Sequence, residues 1–318
     1  MPRNGLAAGS AIPMSNQAGV AGAVTRFCQR SYAVDYIALV VIAAGWALIQ
    51  LFVDPFHRMF SLDNKSIQYP FTVVERVSIV WSIIYAGVIP FVILVLWAAM
   101  FRPGAHKVHV TILGFFVALM LSTFLTDIIK NAVGRPRPDF ISRCIPRKGT
   151  AKDVLVAYTV CTQTNNHILQ EGWRSFPSGH SSFSFSGLGY LTIFFSGQMH
   201  VFRPRTDLAR CLLALAPLLC ALMIAISRLD DYRHDVYDVT CGSILGAAVS
   251  YFSYRRYYPS LWAISCDVPH SKTDLVDPDG FSKLPGDEEQ QIEGRGSIPR
   301  NWEDGETYQL GEAVESRR

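Results

Sequence analysis

The sequence predicts an all-α membrane protein with six transmembrane helices, on three observations. Half of the 318 residues are hydrophobic, only 17% are charged, and these apolar residues collect into long runs. An ordinary soluble domain carries more charge and spreads its apolar residues. Each run is close to the ~20 residues a helix needs to cross ~30 Å of hydrocarbon.

The first span covers roughly 36–53 (YIALVVIAAGWALIQLFV). It starts too late and lacks the small-residue site of a cleaved signal peptide. The second and third, roughly 77–100 and 108–129, are strongly apolar. The fourth, roughly 181–199 (SSFSFSGLGYLTIFFSGQM), and the sixth, roughly 238–254, are rich in Ser, Gly and Ala. Small residues suit close packing between helices better than contact with lipid. The fifth, roughly 209–227 (ARCLLALAPLLCALMIAIS), is apolar throughout. Six such runs in one chain argue against buried helices of a soluble fold.

Six spans put both termini on one side. The short loops carry Arg102, Lys107, Arg203 and Arg205, the N-terminal arm carries Arg26 and Arg30, and the last span ends in Arg255-Arg256. Basic residues concentrate on the cytosolic side, so these elements and both termini are expected there. The loops 54–76, 130–180 and 228–237 are then luminal or exterior. The loop 130–180 is itself basic, against that rule, and its cations need another purpose.

Residues 1–32 read as a flexible cytosolic arm, 33–258 as the six-helix domain, and 259–318 as a disordered acidic tail rich in Asp, Glu, Gly and Pro. Cys144 and Cys161 share the long luminal loop. A disulfide between them and a pair of free thiols both fit, since that compartment permits oxidation. Asn64-Lys65-Ser66 is a glycosylation sequon on the same side.

Three clusters of unusual residues fall on that one face. Lys130 and Arg137 follow span three, in KNAVGRPRPDF. Ser178, Gly179 and His180 precede span four, in SFPSGHSSFSF. Arg228, His234 and Asp238 lie between spans five and six, in SRLDDYRHDVYD. Lys130, Arg137 and Arg228, with the free N–H groups of a Ser-Gly turn at a helix start, are parts that bind an anion such as phosphate. Gly179 has no Cβ and lets an oxyanion approach the backbone.

His234 and Asp238 are spaced i, i+4 and share a helical face. The carboxylate can accept the Nδ1 proton of His234 and leave Nε2 as a nucleophile. His180 can then supply the proton a departing oxygen needs. A lone interfacial histidine is ordinarily a solvated ring, and two histidines with an aspartate can hold a metal. Three cations around the same point would repel a divalent ion, so no metal or cofactor is expected. Arg135, Arg143, Arg147, Lys148 and Arg174 read as side chains reaching lipid headgroups.

The motifs Lys130-x6-Arg137-Pro138, Pro177-Ser178-Gly179-His180 and Ser227-Arg228-x5-His234-x3-Asp238 resemble the three-part signature of the type 2 phosphatidic acid phosphatases, over roughly residues 33–260. These lipid phosphate phosphatases share their site with the vanadium haloperoxidases. The stretches around each motif, and SIQYPF at 66–71, are similar to those of the fungal diacylglycerol pyrophosphate phosphatases.

The resemblance implies a magnesium-independent phosphatase working through a phosphohistidine, with the active site at the luminal or exoplasmic helix ends. In it His234 is the nucleophile assisted by Asp238, and His180 protonates the leaving group and later activates water. Lys130, Arg137, Ser178, Gly179 and Arg228 hold the phosphate. The implied substrates are diacylglycerol pyrophosphate, phosphatidate and lysophosphatidate. The expected partners are a membrane phospholipid and the bilayer, not nucleic acid, in a vacuolar, Golgi, ER or plasma membrane. Two alternatives remain: a phosphatase for polyprenyl diphosphates or sphingoid-base phosphates, and a non-catalytic lipid-binding membrane protein.

Overall fold

The computed structural model describes residues 31–271. The expectations for the N-terminal arm up to residue 30, and for the tail from 272, lie outside the described residues.

Six long helices appear where six apolar runs were read. They are α1 (Ala33–Phe52), α2 (Ile79–Phe101), α3 (Ala105–Val133), α6 (Gly179–Gln198), α7 (Leu208–Asp230) and α8 (Val236–Tyr257). Two short helices, α4 (Phe140–Cys144) and α5 (Asn166–Glu171), lie in the long loop between α3 and α6. By length and apolar composition α1, α2, α3 and α7 can each cross a membrane. Their outward faces are apolar, as at Val40, Leu51, Leu96, Leu213 and Met223, all more than half exposed.

The serine- and glycine-rich helices α6 and α8 differ, for a physical reason. α6 forms the centre of the bundle, packed against α3, α7 and α8, and α8 buries one face against α6 and α3. Ser181, Ser182, Ser184, Ser186, Gly187 and Gly189 of α6 are buried. On α8 the glycine at 246 is required by close approach, because a Cβ there would sit 2.3 Å from the Ser182 carbonyl oxygen. Small side chains let two backbones meet. α6 faces protein all round, so its sequence does not need the apolarity lipid demands, while α8 keeps an outward face with Ile244 and Phe252 more than half exposed.

In α2, one π-turn spans Ile84–Val88, just before Pro90. Proline has no N–H to donate and its ring crowds the preceding turn, so the helix widens there. The main core gathers Leu94, Val110, Phe115, Tyr190, Phe194, Tyr254, Tyr257 and Tyr258. Its tyrosines find polar partners: Tyr190 donates to the Thr111 carbonyl, and Tyr258 pairs with the Thr111 hydroxyl at 2.7 Å.

A second, smaller core lies under the loops at the α3–α6 end: Phe60, Ile67, Phe140, Cys144 and Trp173. Trp173 is fully buried, with its ring 4.5 Å from that of Phe140. A disulfide joins Cys144 to Cys161. The all-α expectation needs one small amendment: β1 (Phe60–Ser61) pairs antiparallel with β2 (Leu155–Val156), Phe60 opposite Val156. This ladder ties the first loop to the third. Asn64 of the sequon is exposed.

The chain past α8 also departs from expectation. Composition places a disordered tail from 259, yet Leu261 and Cys266 are buried, and Tyr254 donates its hydroxyl to the Cys266 carbonyl. The His270 N–H donates to the Tyr257 carbonyl. Leu261 and Trp262 supply apolar surface that averaged composition hides among polar neighbours.

Candidate active site

The ends of α3, α6, α7 and α8 meet on one side of the bundle. Each turns its chain there by a local device. Gly134 closes α3 at φ 57°, the left-handed region that favours glycine, and a Cβ there would strike the Phe56 carbonyl oxygen at 1.8 Å. Arg-Pro-Arg-Pro follows and delivers Arg137. Its N–H donates to the Gly172 carbonyl at 2.8 Å, and its Nε donates to the Glu171 carbonyl at 2.8 Å.

Ser178 caps α6, accepting at Oγ from the Ser181 N–H, so that Gly179 and His180 occupy its first turn. At the end of α7, Arg228 leads into a turn through Tyr232 at φ 52°, and His234 precedes the Asp235 cap of α8. His234 donates its backbone N–H to the Arg228 carbonyl at 3.3 Å.

One cavity of about 670 Å³ is lined by Lys130, Arg137, Gly179, His180, Arg228 and His234, together with Glu75, Glu171 and Arg174. Six of the eight residues singled out in the sequence therefore share a cavity. The other two, Ser178 and Asp238, are not among its lining residues and lie buried. Ser178 is fully buried with its hydroxyl engaged in capping, and its N–H donates to the Asp238 carbonyl at 2.9 Å. The helix start thus uses the Ser178 hydroxyl. Lys130 does reach the turn: its Nζ lies 3.0 Å from where a Cβ on residue 179 would stand.

The expected hydrogen bond from His234 to Asp238 is corrected. Nδ1 lies 3.7 Å from Asp238 Oδ2 and has no hydrogen-bond partner among the described residues. The carboxylate is already committed. Oδ2 accepts from the Ser175 hydroxyl at 2.5 Å and the Asp235 N–H at 3.1 Å, and Oδ1 accepts from Arg135 at 2.6 Å. Asp238 is nevertheless the carboxylate against Nδ1, so the pairing of residues holds while the bond is long.

Across the ring, Nε2 of His234 lies 3.4 Å from Arg137 Nη1. Burial pushes this imidazole down, Arg137 pushes it further, and Asp238 offsets only part, leaving it at about 3. The ring is neutral near neutral pH. On the other side of the cavity, His180 Nε2 is buried without a hydrogen-bond partner among the described residues. An unpaired buried donor or acceptor costs ~1–3 kcal/mol and marks a place where a ligand would supply the partner.

Arg137 and Arg228 each carry a carboxylate. Arg137 donates to Glu171 at 3.0 Å, and Arg228 donates to Glu75 at 2.8 Å and to Asp231 at 2.7 Å. Burial alone would raise the Glu171 carboxyl, but Arg137, Lys130 and Arg174 outweigh it and hold it at about 2.

Several residues read as headgroup contacts do other work. Arg135 bridges Asp238 and Asp235, Arg143 is buried against Asp139, and Arg174 lines the cavity. Arg147 and Lys148 are exposed. Arg135 and Asp238 are 103 positions apart, and no local spacing links them. Glu75, Glu171 and Ser175 carried no sequence signal beyond their nearness to the motifs.

The cavity is also lined by the apolar side chains of Trp46, Ile79, Ile83 and Phe183, on α1, α2 and α6, with the Asp127 carboxylate accepting from Trp46 at 2.6 Å. It can hold an anion and an apolar group together.

Comparison with known proteins agrees with this arrangement. Residues 111–262 match the model of the PAP2 superfamily. A Schizosaccharomyces pombe protein named "Probable diacylglycerol pyrophosphate phosphatase 1" is 36% identical over 242 residues, 76% of this chain and 86% of the relative. The Saccharomyces cerevisiae protein "Diacylglycerol pyrophosphate phosphatase 1" is 39% identical over 212 residues, 65% of this chain and 73% of the relative. "Lipid phosphate phosphatase 2" of Arabidopsis thaliana is 34% identical over 242 residues, 73% of this chain and 82% of the relative. With its three motifs gathered at one cavity and these relatives matched over most of their length, the chain belongs to the PAP2 superfamily.

Proposed function

We propose that this protein is a membrane lipid phosphate phosphatase that removes the terminal phosphate of diacylglycerol pyrophosphate, and the phosphate of phosphatidate and lysophosphatidate, without magnesium. The observation that carries the reading is the convergence of two histidines and three cations on a partly apolar cavity. In this reading all six long helices span the bilayer, the cavity opens on the luminal or exoplasmic side, and both termini are cytosolic. The central, less apolar α6 crosses inside the others, and α8 crosses beside it with its exposed face turned to lipid.

The reaction divides into two displacements. Nε2 of neutral His234 attacks phosphorus, forming a P–N bond as the P–O bond to the leaving group breaks. His180 gives that oxygen a proton. Water then attacks the phosphohistidine, and His180 takes its proton as the P–N bond breaks, releasing inorganic phosphate and restoring both rings. Lys130, Arg137 and Arg228 neutralise the equatorial oxygens, which also accept from the free N–H groups at the α6 start. Asp238 faces the imidazolium that forms on His234.

Arg135 acts at one remove, as a positioning residue for Asp238. Arg135→Gln should lower kcat roughly 10- to 100-fold, the order of loss when a reacting group is misplaced, with a smaller change in KM. Steady-state kinetics check it, and an unchanged kcat would remove Arg135 from the account.

The functional test is phosphate release from diacylglycerol pyrophosphate and phosphatidate in detergent micelles with excess EDTA. Release should persist in EDTA and be inhibited by vanadate, whose trigonal-bipyramidal form mimics the transferring phosphoryl group. Release that needs added divalent metal, or is insensitive to vanadate, would contradict the mechanism.

A further inference from the structure

We propose that Arg174 reads the second phosphate of a diphosphate lipid, and so sets the preference for a diphosphate over a monophosphate at this site. The proposal rests on the phosphatase reading above and deepens it.

A diphosphate brings one more anionic group than a phosphatidate. If the terminal phosphate sits at His234, its neighbour must lie between that point and the acyl chains. Three cations beyond Lys130, Arg137 and Arg228 line the cavity: Arg143, Arg174 and Arg233. Two of them are committed elsewhere. Arg143 and Arg233 share the buried Asp139 carboxylate, at 2.8 Å and 3.5 Å, and both stack on Phe71, at 4.8 Å and 4.6 Å from its ring centre.

Arg174 stands differently. Its Nε donates to the Asn131 side-chain oxygen at 3.0 Å, and Nη2 to the Val53 carbonyl at 3.1 Å. These partners lie at the ends of α3 and α1, and α1 also supplies Trp46 and Gln50 to the cavity wall. Arg174 is therefore the extra cation on the α1 side of the cavity.

Its charge is answered by one carboxylate that it does not own. Glu171 gives Oε1 to Arg174 at 3.4 Å and Oε2 to Arg137 at 3.0 Å. Both guanidinium groups therefore reach the same anionic group from its two oxygens. The terminal phosphate would take Arg137, and the inner one would replace the long Glu171 contact to Arg174. Neutralising the inner phosphate also favours its departure as the leaving group.

The test compares wild type, Arg174→Gln and Arg174→Lys on diacylglycerol pyrophosphate and phosphatidate. Loss of one charge-assisted hydrogen bond corresponds to about tenfold or more, so Arg174→Gln should lose that much kcat/KM on the diphosphate and under about threefold on phosphatidate. Arg174→Lys should recover part of the difference. Inhibition by methylenediphosphonate should weaken in Arg174→Gln by a similar factor, while inhibition by inorganic phosphate changes little.

An equal loss on both lipids would overturn the proposal and leave Arg174 as a brace for Glu171 and α1. So would an unchanged ratio. A wild-type protein that releases phosphate from neither lipid would instead refute the phosphatase reading. Direct binding of methylenediphosphonate against phosphate would then still decide the role of Arg174.

Discussion

His234→Ala should lower phosphate release by a factor on the order of 10⁴ or more, the scale at which removing a covalent nucleophile acts. His180 and the exposed His167 are the other imidazoles that line the cavity among the described residues. His180 could in principle attack, but the i, i+4 carboxylate stands behind His234, at 3.7 Å from Nδ1. The loss should be confined to kcat, because Lys130, Arg137 and Arg228 remain to bind the phosphate. Vanadate binding measured directly should therefore fall far less than turnover.

The pH profile carries the same claim. Burial and then Arg137 hold the His234 imidazole at about 3. The folded value lies below the ordinary ~6.5 of an unfolded chain. Between those two values the unfolded chain takes up a proton that the folded protein refuses, so this group costs stability as pH falls through that window and costs nothing above it. For catalysis the sign is simple. The nucleophile stays unprotonated down to about pH 3, so the acid limb of kcat/KM above that must report another group.

His180→Ala should reduce kcat by about 10²–10⁴-fold on a lipid substrate, the range general acid–base catalysis supplies. The size should depend on the leaving group. A lipid alkoxide is a poor leaving group and needs the proton, whereas p-nitrophenolate leaves without one. With p-nitrophenyl phosphate the first displacement should survive the substitution while hydrolysis of the phosphoenzyme slows, so a burst of nitrophenol should precede a slow steady state. Equal losses on both substrates, with no burst, would remove His180 from the first step. The buried Nε2 of His180, without a hydrogen-bond partner among the described residues, is the structural ground for the expectation.

Much of this site was legible before any coordinates. The six helices were visible as apolar runs, and the anion-binding residues as cations at their ends. The motif residues converge because each sits within a few positions of a helix terminus, and a bundle gathers its termini at two ends. What could not be read were contacts between loops. Arg135 meets Asp238, and Glu75 meets Arg228, only because the loops fold over the bundle.

Charge type alone also misled. Arg143 and Arg174 resemble headgroup-seeking side chains in sequence, yet Arg143 is buried against Asp139 and Arg174 lines the cavity. The long His234–Asp238 contact was hidden for a related reason. Helical spacing places two side chains on one face, but it does not say which other donors compete for the carboxylate. Ser175, Asp235 and Arg135 do so here.

The most direct test of the central claim is to trap the phosphoenzyme. His180→Ala would be mixed with ³²P-labelled p-nitrophenyl phosphate, quenched in alkali to spare the P–N bond, digested and mapped. Label on the peptide containing His234, in proportion to the burst and absent from the His180→Ala/His234→Ala double variant, is the predicted result. Label on a different residue, or a burst of nitrophenol with no labelled protein, would contradict the account.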